Sequence, residues 1–186
     1  DLTEFYIHGQ PEPIVSKITE DKSLRTHILS VIVTHPGIKK EELLEFFLQT
    51  LGGLQTSKAT LSFAINISLR FLSSQQLVIK KGERYAGTAF GKKTSMLYID
   101  PLTATYFRDA IDNVSEQRKH TFGFLHLMTN CEEFFPKFSL RNKDYESTSL
   151  MIENYSSELI EPISEYDCSR SLLALQMWIT ESSELS

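Results

Sequence analysis

With 186 residues and a mass of 21.3 kDa, the chain is one large domain or two small ones, long enough to bury a core without metals or disulfides. Its 41% hydrophobic and 23% charged residues are ordinary for a globular protein, and a net charge of −5 argues against a histone-like polyanion binder. No apolar run approaches the roughly 18 residues that span a bilayer, so no membrane partner is expected. Asp1-Leu2-Thr3-Glu4 lacks the basic flank and apolar stretch of a signal peptide, and without an initiator Met the chain reads as an excised piece. The two cysteines, Cys131 and Cys168, have no metal-type spacing and fit a reducing compartment.

The charge is unevenly spread. Residues 1–21 carry one Lys and five acids; residues 22–100 carry eleven basic and five acidic side chains; residues 101–186 carry seven basic and fourteen acidic ones. A basic middle between acidic ends favours phosphate contacts more than the total suggests, although a solvated mixed surface gives the same count.

Residues 1–21 read as a connector, because Gly9-Gln10-Pro11-Glu12-Pro13 forbids a helix through it. A first helix is expected over 22–35, with Ser23 as cap and Leu24, Ile28, Val31 and Ile32 at helical spacing, stopped by Pro36-Gly37. A second runs from Ile38 to Leu51, ended by Gly52-Gly53. A third covers about Lys58 to Ser73, capped by Thr56 or Ser57, with Leu61, Ile65, Leu69 and Leu72 as its stripe and Lys58 and Arg70 off it. Leu77-Val78-Ile79 then reads as a strand, Lys80-Lys81-Gly82-Glu83 as a turn and Arg84-Tyr85-Ala86 as a returning strand.

Three helices followed by a basic hairpin is the winged-helix variant of helix-turn-helix. The winged-helix domain is placed at 22–99, ending in a short helix from Phe90 to Leu97. The DNA-binding candidates are Lys58 and Arg70 on the third helix, Lys80, Lys81 and Arg84 on the wing, and Lys92 and Lys93 beyond it. Lys58 and Arg70 could instead pair with acids of the second half.

That half, 100–186, reads as an acidic helical bundle. Asp100 caps a helix that starts at Pro101 and runs to about Asn113. Further helices are expected over 121–129, 144–160 and 169–181, with breaks at Phe135-Pro136 and Pro162. The fold class is therefore mainly α.

No phosphate-binding GxxxxGK[ST], GxGxxG, GxSxG or HExxH pattern occurs. His8, His27, His35, His120 and His126 have no second ligand type at metal spacing. His126, within Phe124-Leu125-His126-Leu127, reads as a buried, hydrogen-bonded ring, Glu132-Glu133 as a solvated pair, and Trp178 as a core side chain with base stacking as the other option. No catalytic, cofactor or metal site is expected in this chain.

Several segments then match one family in order. Ile7-His8-Gly9-Gln10-Pro11-Glu12-Pro13-Ile14-Val15-Ser16-Lys17 resembles the segment by which archaeal superfamily-two DNA repair helicases, relatives of the helicase part of polymerase theta, leave their second RecA-like motor domain. Leu24-Arg25-Thr26-His27 resembles the opening of their winged helix, and Met96-Leu97-Tyr98-Ile99-Asp100-Pro101-Leu102-Thr103-Ala104 its end. Leu125-His126-Leu127-Met128, Leu140-Arg141 with Asp144, and the run from Leu172 to Glu181 resemble parts of the following helical domain. The chain departs from the family pattern at Thr26 and at Met96-Leu97.

The resemblance implies a C-terminal piece of a helicase: winged helix plus the start of the ratchet domain. The ATP- and Mg-using motor would lie upstream and the long ratchet helix downstream. It implies DNA and RecA-like motor domains as partners, a cytoplasmic, nucleoid-associated location, and 3′ to 5′ unwinding at stalled or branched forks. Two other readings of the residues stand beside it: a stand-alone winged-helix regulator, and a protein-interaction module.

Overall fold

Leu24, Ile28 and Ile32 recur every four residues, so a helix through them lays an apolar stripe along one side. In the computed structural model this is α1, Asp21–Thr34. The structure describes residues 6, 7, 9, 13–18, 21–114, 120–138, 141, 145–163 and 169–181. His8, Leu140, Asp144 and Cys168 lie outside the described residues, as do Gln10, Pro11 and Glu12 of the connector. The chain divides into two units, Asp1–Pro101 and Leu102–Ser186.

In the first unit the chain leaves α1 through Pro36, and Gly37 takes a φ of +91°, which side chains avoid. Its N–H donates to the Tyr85 carbonyl at 2.7 Å and starts a short strand, β1, Ile38–Lys39. The expected helix from Ile38 to Leu51 is thus corrected at both ends. Helix α2 covers Lys40–Leu48, and the Glu42 carboxylate closes its first turn by accepting from the Lys39 N–H at 2.7 Å. A separate short helix, α3, covers Leu51–Gln55, opened by the Thr50 hydroxyl, which accepts from the Gly53 N–H. Gly52 and Gly53 therefore sit inside a helix rather than ending one. Their role is close approach: a Cβ on Gly53 would stand 2.1 Å from the Phe47 carbonyl oxygen.

Helix α4, Lys58–Ser74, is capped by Ser57, whose hydroxyl accepts from the Thr60 N–H at 3.1 Å. Leu61, Ile65, Leu69 and Leu72 are all buried, as their spacing requires. Two strands follow, β2 over Val78–Lys81 and β3 over Arg84–Gly87, so Lys80 and Lys81 belong to a strand and only Gly82-Glu83 turns. The antiparallel sheet has the order β1-β3-β2. Leu24, Ile28, Ile32, Leu43, Phe47, Leu77 and Tyr85 complete one core with the α4 stripe; each large apolar side chain so buried contributes about 1.5–3 kcal/mol. Helix α5, Ala89–Met96, closes this winged-helix-like unit.

The second unit is helical: α6 (Pro101–Asp112), α7 (Thr121–Asn130), α8 (Tyr145–Glu153), a 3-10 turn (Ser156–Glu158) and α9 (Ser169–Ile179). The helix expected over 144–160 is interrupted after Glu153, where Tyr155 turns inward to stack on Phe122 with ring centroids 4.5 Å apart. The core is small: Phe122, Leu125, Ile152, Leu172 and Leu173, bordered by Leu159, Ile163 and Leu175. Trp178, expected in the core, is 77% exposed. It falls about 240° around α9 from buried Leu172, on the opposite face. The architecture is mainly α, and among the described residues no helix is long and apolar enough to cross a membrane.

Candidate nucleic-acid interface

The register of the small sheet decides where its cations point. Residues directly opposite one another share a face, and neighbours along a strand alternate. Ile38 faces Tyr85, which faces Lys80; Lys39 faces Arg84, which faces Lys81. The first row turns toward the core, where the Lys80 ammonium rests 5.6 Å from the centre of the Tyr85 ring. The second row is three cations side by side. Strands lie about 4.8 Å apart, and like charges directly opposite destabilise a sheet. Arg84 Nη1 donates to the Gly37 carbonyl at 2.8 Å, and no acidic side chain pairs with Lys39, Arg84 or Lys81 among the described residues. Three cations with no ion pair among the described residues offer contacts to an anionic chain, with Glu42 at the Lys39 N–H and Glu83 in the turn beside them.

The other candidates are exposed and stand in separate places. Arg70 and Lys80 share an open cleft between α4 and the hairpin with Asn66, Leu69, Ser73 and Tyr85. Lys58, at the first turn of α4, is about 18 Å along the axis from Arg70 and so is not part of that cleft. Lys92 and Lys93 lie on the outward side of α5, whose inner face is Gly91 and Thr94.

Lys39 was invisible to periodicity, because a two-residue strand is too short to alternate. The outward side of α4 was also missed. Phe63 and Ile67, one turn apart, are 67% and 45% exposed on the face that would enter a major groove. Both are legible as apolar residues offset from the Leu61–Ile65–Leu69 stripe.

The second unit holds a different polar cluster. The Tyr106 hydroxyl donates to Glu161 Oε2 at 2.7 Å, and burial together with that carboxylate pushes the phenol far above its ordinary range. The Asn130 side chain bonds to Tyr106 and donates to His126 Nε2 at 3.0 Å. His126 is fully buried, as expected, and burial lowers its pKa. The Cys131 thiol, buried and donating to the Leu127 carbonyl, is pushed up to about 11; that is far from a reactive thiolate. Glu132 and Glu133 are exposed. Among the described residues no cluster of three or more His, Cys, Asp or Glu could hold a metal ion.

No protein-family model matches the chain. Individual proteins do. The ATP-dependent DNA helicase Hel308 of Methanocella arvoryzae is 28% identical over 197 aligned positions, covering 99% of this chain and 26% of its own length. This chain is similar to archaeal Hel308 helicases over nearly its whole length. The Hel308 of Thermococcus kodakarensis is 28% identical over 91% of this chain and 15% of its own length; that of Thermoplasma acidophilum is 29% identical over 96% and 25%. The chain thus spans about a quarter, or less, of the Hel308 relatives it matches. The resemblance read from the ordered motifs is the one these comparisons find.

Proposed function

We propose that this chain is a non-catalytic accessory region of an ATP-dependent 3′ to 5′ DNA helicase acting on stalled or branched forks. On this reading ATP and Mg are bound by RecA-like motor domains of the same longer protein, which works on the nucleoid. The second unit is the start of a ratchet domain, and the winged-helix-like unit positions it. The wing row of Lys39, Arg84 and Lys81 carries the DNA contact: it reads phosphates, not bases, and so suits forks of any sequence.

A salt titration tests this. Lys39→Gln with Lys81→Gln removes two of the three charges and leaves Arg84 on Gly37. Affinity for a labelled forked DNA, followed by anisotropy from low to moderate salt, falls, and the log–log salt slope shrinks by about two. Unchanged affinity and slope in the double variant would refute the wing contact.

The exposed pair Phe63 and Ile67 favours a second reading for α4. An apolar outward face suits a protein surface better than a major groove. The same helix that a sequence-specific regulator would insert into DNA is, on this reading, where the unit seats against another domain.

A further inference from the structure

Helix α5 ends on a left-handed residue, as do the turns after α4 at Gln76 (φ +58°) and after α9 at Glu181 (φ +52°). Leu97 N–H donates to the Lys93 carbonyl and Tyr98 N–H to that of Ser95, which closes the last turn. Tyr98 then takes a φ of +56°. Helices commonly end on such a left-handed residue, and it is usually Gly because a side chain is strained there. Here the position carries a large aromatic ring that is 88% exposed. Neither the backbone nor the core asks for tyrosine at 98: glycine would relieve the strain, and the ring gains almost no burial. What sets Tyr98 apart from Gln76 and Glu181 is its side chain: a large aromatic face left almost wholly in solvent.

The surroundings indicate which ligand. Lys92 and Met96 are one turn apart on the outward side of α5, with Lys93 beside them, and Met96 and Leu97 are largely exposed. Neither lysine makes an ion pair among the described residues. From Arg84 to Ile99 the sequence holds three basic and no acidic residues. An apolar knuckle approached through cations with no counter-charge suits a polyanion that also offers a flat apolar face. We propose that Tyr98, with Lys92 and Lys93, is a stacking platform for an unpaired base of a single-stranded nucleic acid, the lysines taking the adjoining phosphates. An aromatic face accepts any base, so the platform holds strand without reading sequence. The proposal rests on the reading that this chain contacts DNA, and it adds a residue class the wing lacks.

The 186-residue chain is titrated with labelled oligo-dT and with an abasic oligonucleotide of the same length. Tyr98→Gly lowers oligo-dT affinity about tenfold, leaves abasic binding unchanged and keeps or raises the unfolding midpoint. Tyr98→Phe binds as the parent does. Lys92→Gln with Lys93→Gln weakens both oligonucleotides and flattens the salt slope. Parental oligo-dT affinity in Tyr98→Gly overturns the platform while leaving the wing contact standing. Equal loss on both oligonucleotides overturns it too, since stacking needs a base. A Tyr98→Gly variant that changes association state by light scattering, with oligo-dT binding intact, makes the knuckle a protein contact and overturns the proposal. If the parent chain binds neither the oligonucleotides nor forked DNA, the functional reading itself fails.

Discussion

Arg25 grips Asp100 with both prongs of its guanidinium: Nε to Oδ1 at 2.6 Å and Nη2 to Oδ2 at 2.5 Å. The pair ties α1 to the turn that follows α5. Asp100 is 3% exposed, and Arg25 also lies against the Phe71 ring at 5.9 Å. Removing one partner of a buried pair strands the other charge, whereas replacing both with apolar residues is often neutral. Asp100→Ala therefore costs about 3 kcal/mol, and Arg25→Met with Asp100→Leu recovers most of it. Urea unfolding of the two variants checks this; equal losses would show that the carboxylate matters for another reason.

Gly53 gives a prediction of reversed sign. In an exposed helix interior Gly→Ala gains up to about 1 kcal/mol. At Gly53 the new methyl meets the Phe47 carbonyl at 2.1 Å and the Leu48 backbone at 2.6 Å, neither of which is a flexible side-chain end. Gly53→Ala destabilises the first unit by about 1–3 kcal/mol, the range for overpacking. A midpoint at or above that of the parent would show that α3 can shift away.

The wing row sets stability against binding. Lys81 faces Arg84 across the sheet, so Lys81→Glu turns a repulsion into an attraction. That change raises stability by about 0.2–1 kcal/mol. On the proposed wing contact, the same substitution lowers affinity for forked DNA, because it would remove one phosphate contact and add a repulsion. Opposite signs in thermal unfolding and DNA titration are expected. Matching signs would mean that DNA binding merely tracks folding.

Local rules carried far along this chain. Four apolar residues at helical spacing place the inner face of α4, and Thr56 or Ser57 before them marks its start, Ser57 being the cap the structure shows. What they missed was settled by distant partners. Ile38 and Lys39 join a strand because Tyr85, 47 residues beyond Ile38 in sequence, receives the Gly37 N–H and pairs with Ile38. Thr50 splits the second helix because its extended backbone lets its hydroxyl accept from the Gly53 N–H and open a new one. Trp178 faces outward because the small core of the second unit covers only the Leu172 side of α9. Lys39 joins the proposed wing contact through the same sheet register, and Tyr98 the proposed platform through its exposure, neither of which a residue pattern announces.

His126 gives the second unit a pH dependence of definite sign. Burial lowers its pKa below the ordinary 6.5, the Glu161 carboxylate opposes that in part, and Asn130 donates to Nε2. The folded ring is therefore neutral, while the unfolded chain binds a proton near pH 6.5. With the folded value depressed, the contribution to stability is full above about pH 6.5 and declines as pH falls toward the folded pKa. One proton bounds the slope at about 1.4 kcal/mol per pH unit. His126→Gln loses stability at pH 8, where Asn130 is left with a poorer partner, but loses less than the parent between pH 7 and pH 5. Hydrogen exchange of the α7 amides at pH 8, 6.5 and 5 separates this from a general acid effect, and parallel slopes in variant and parent would assign the dependence to other groups.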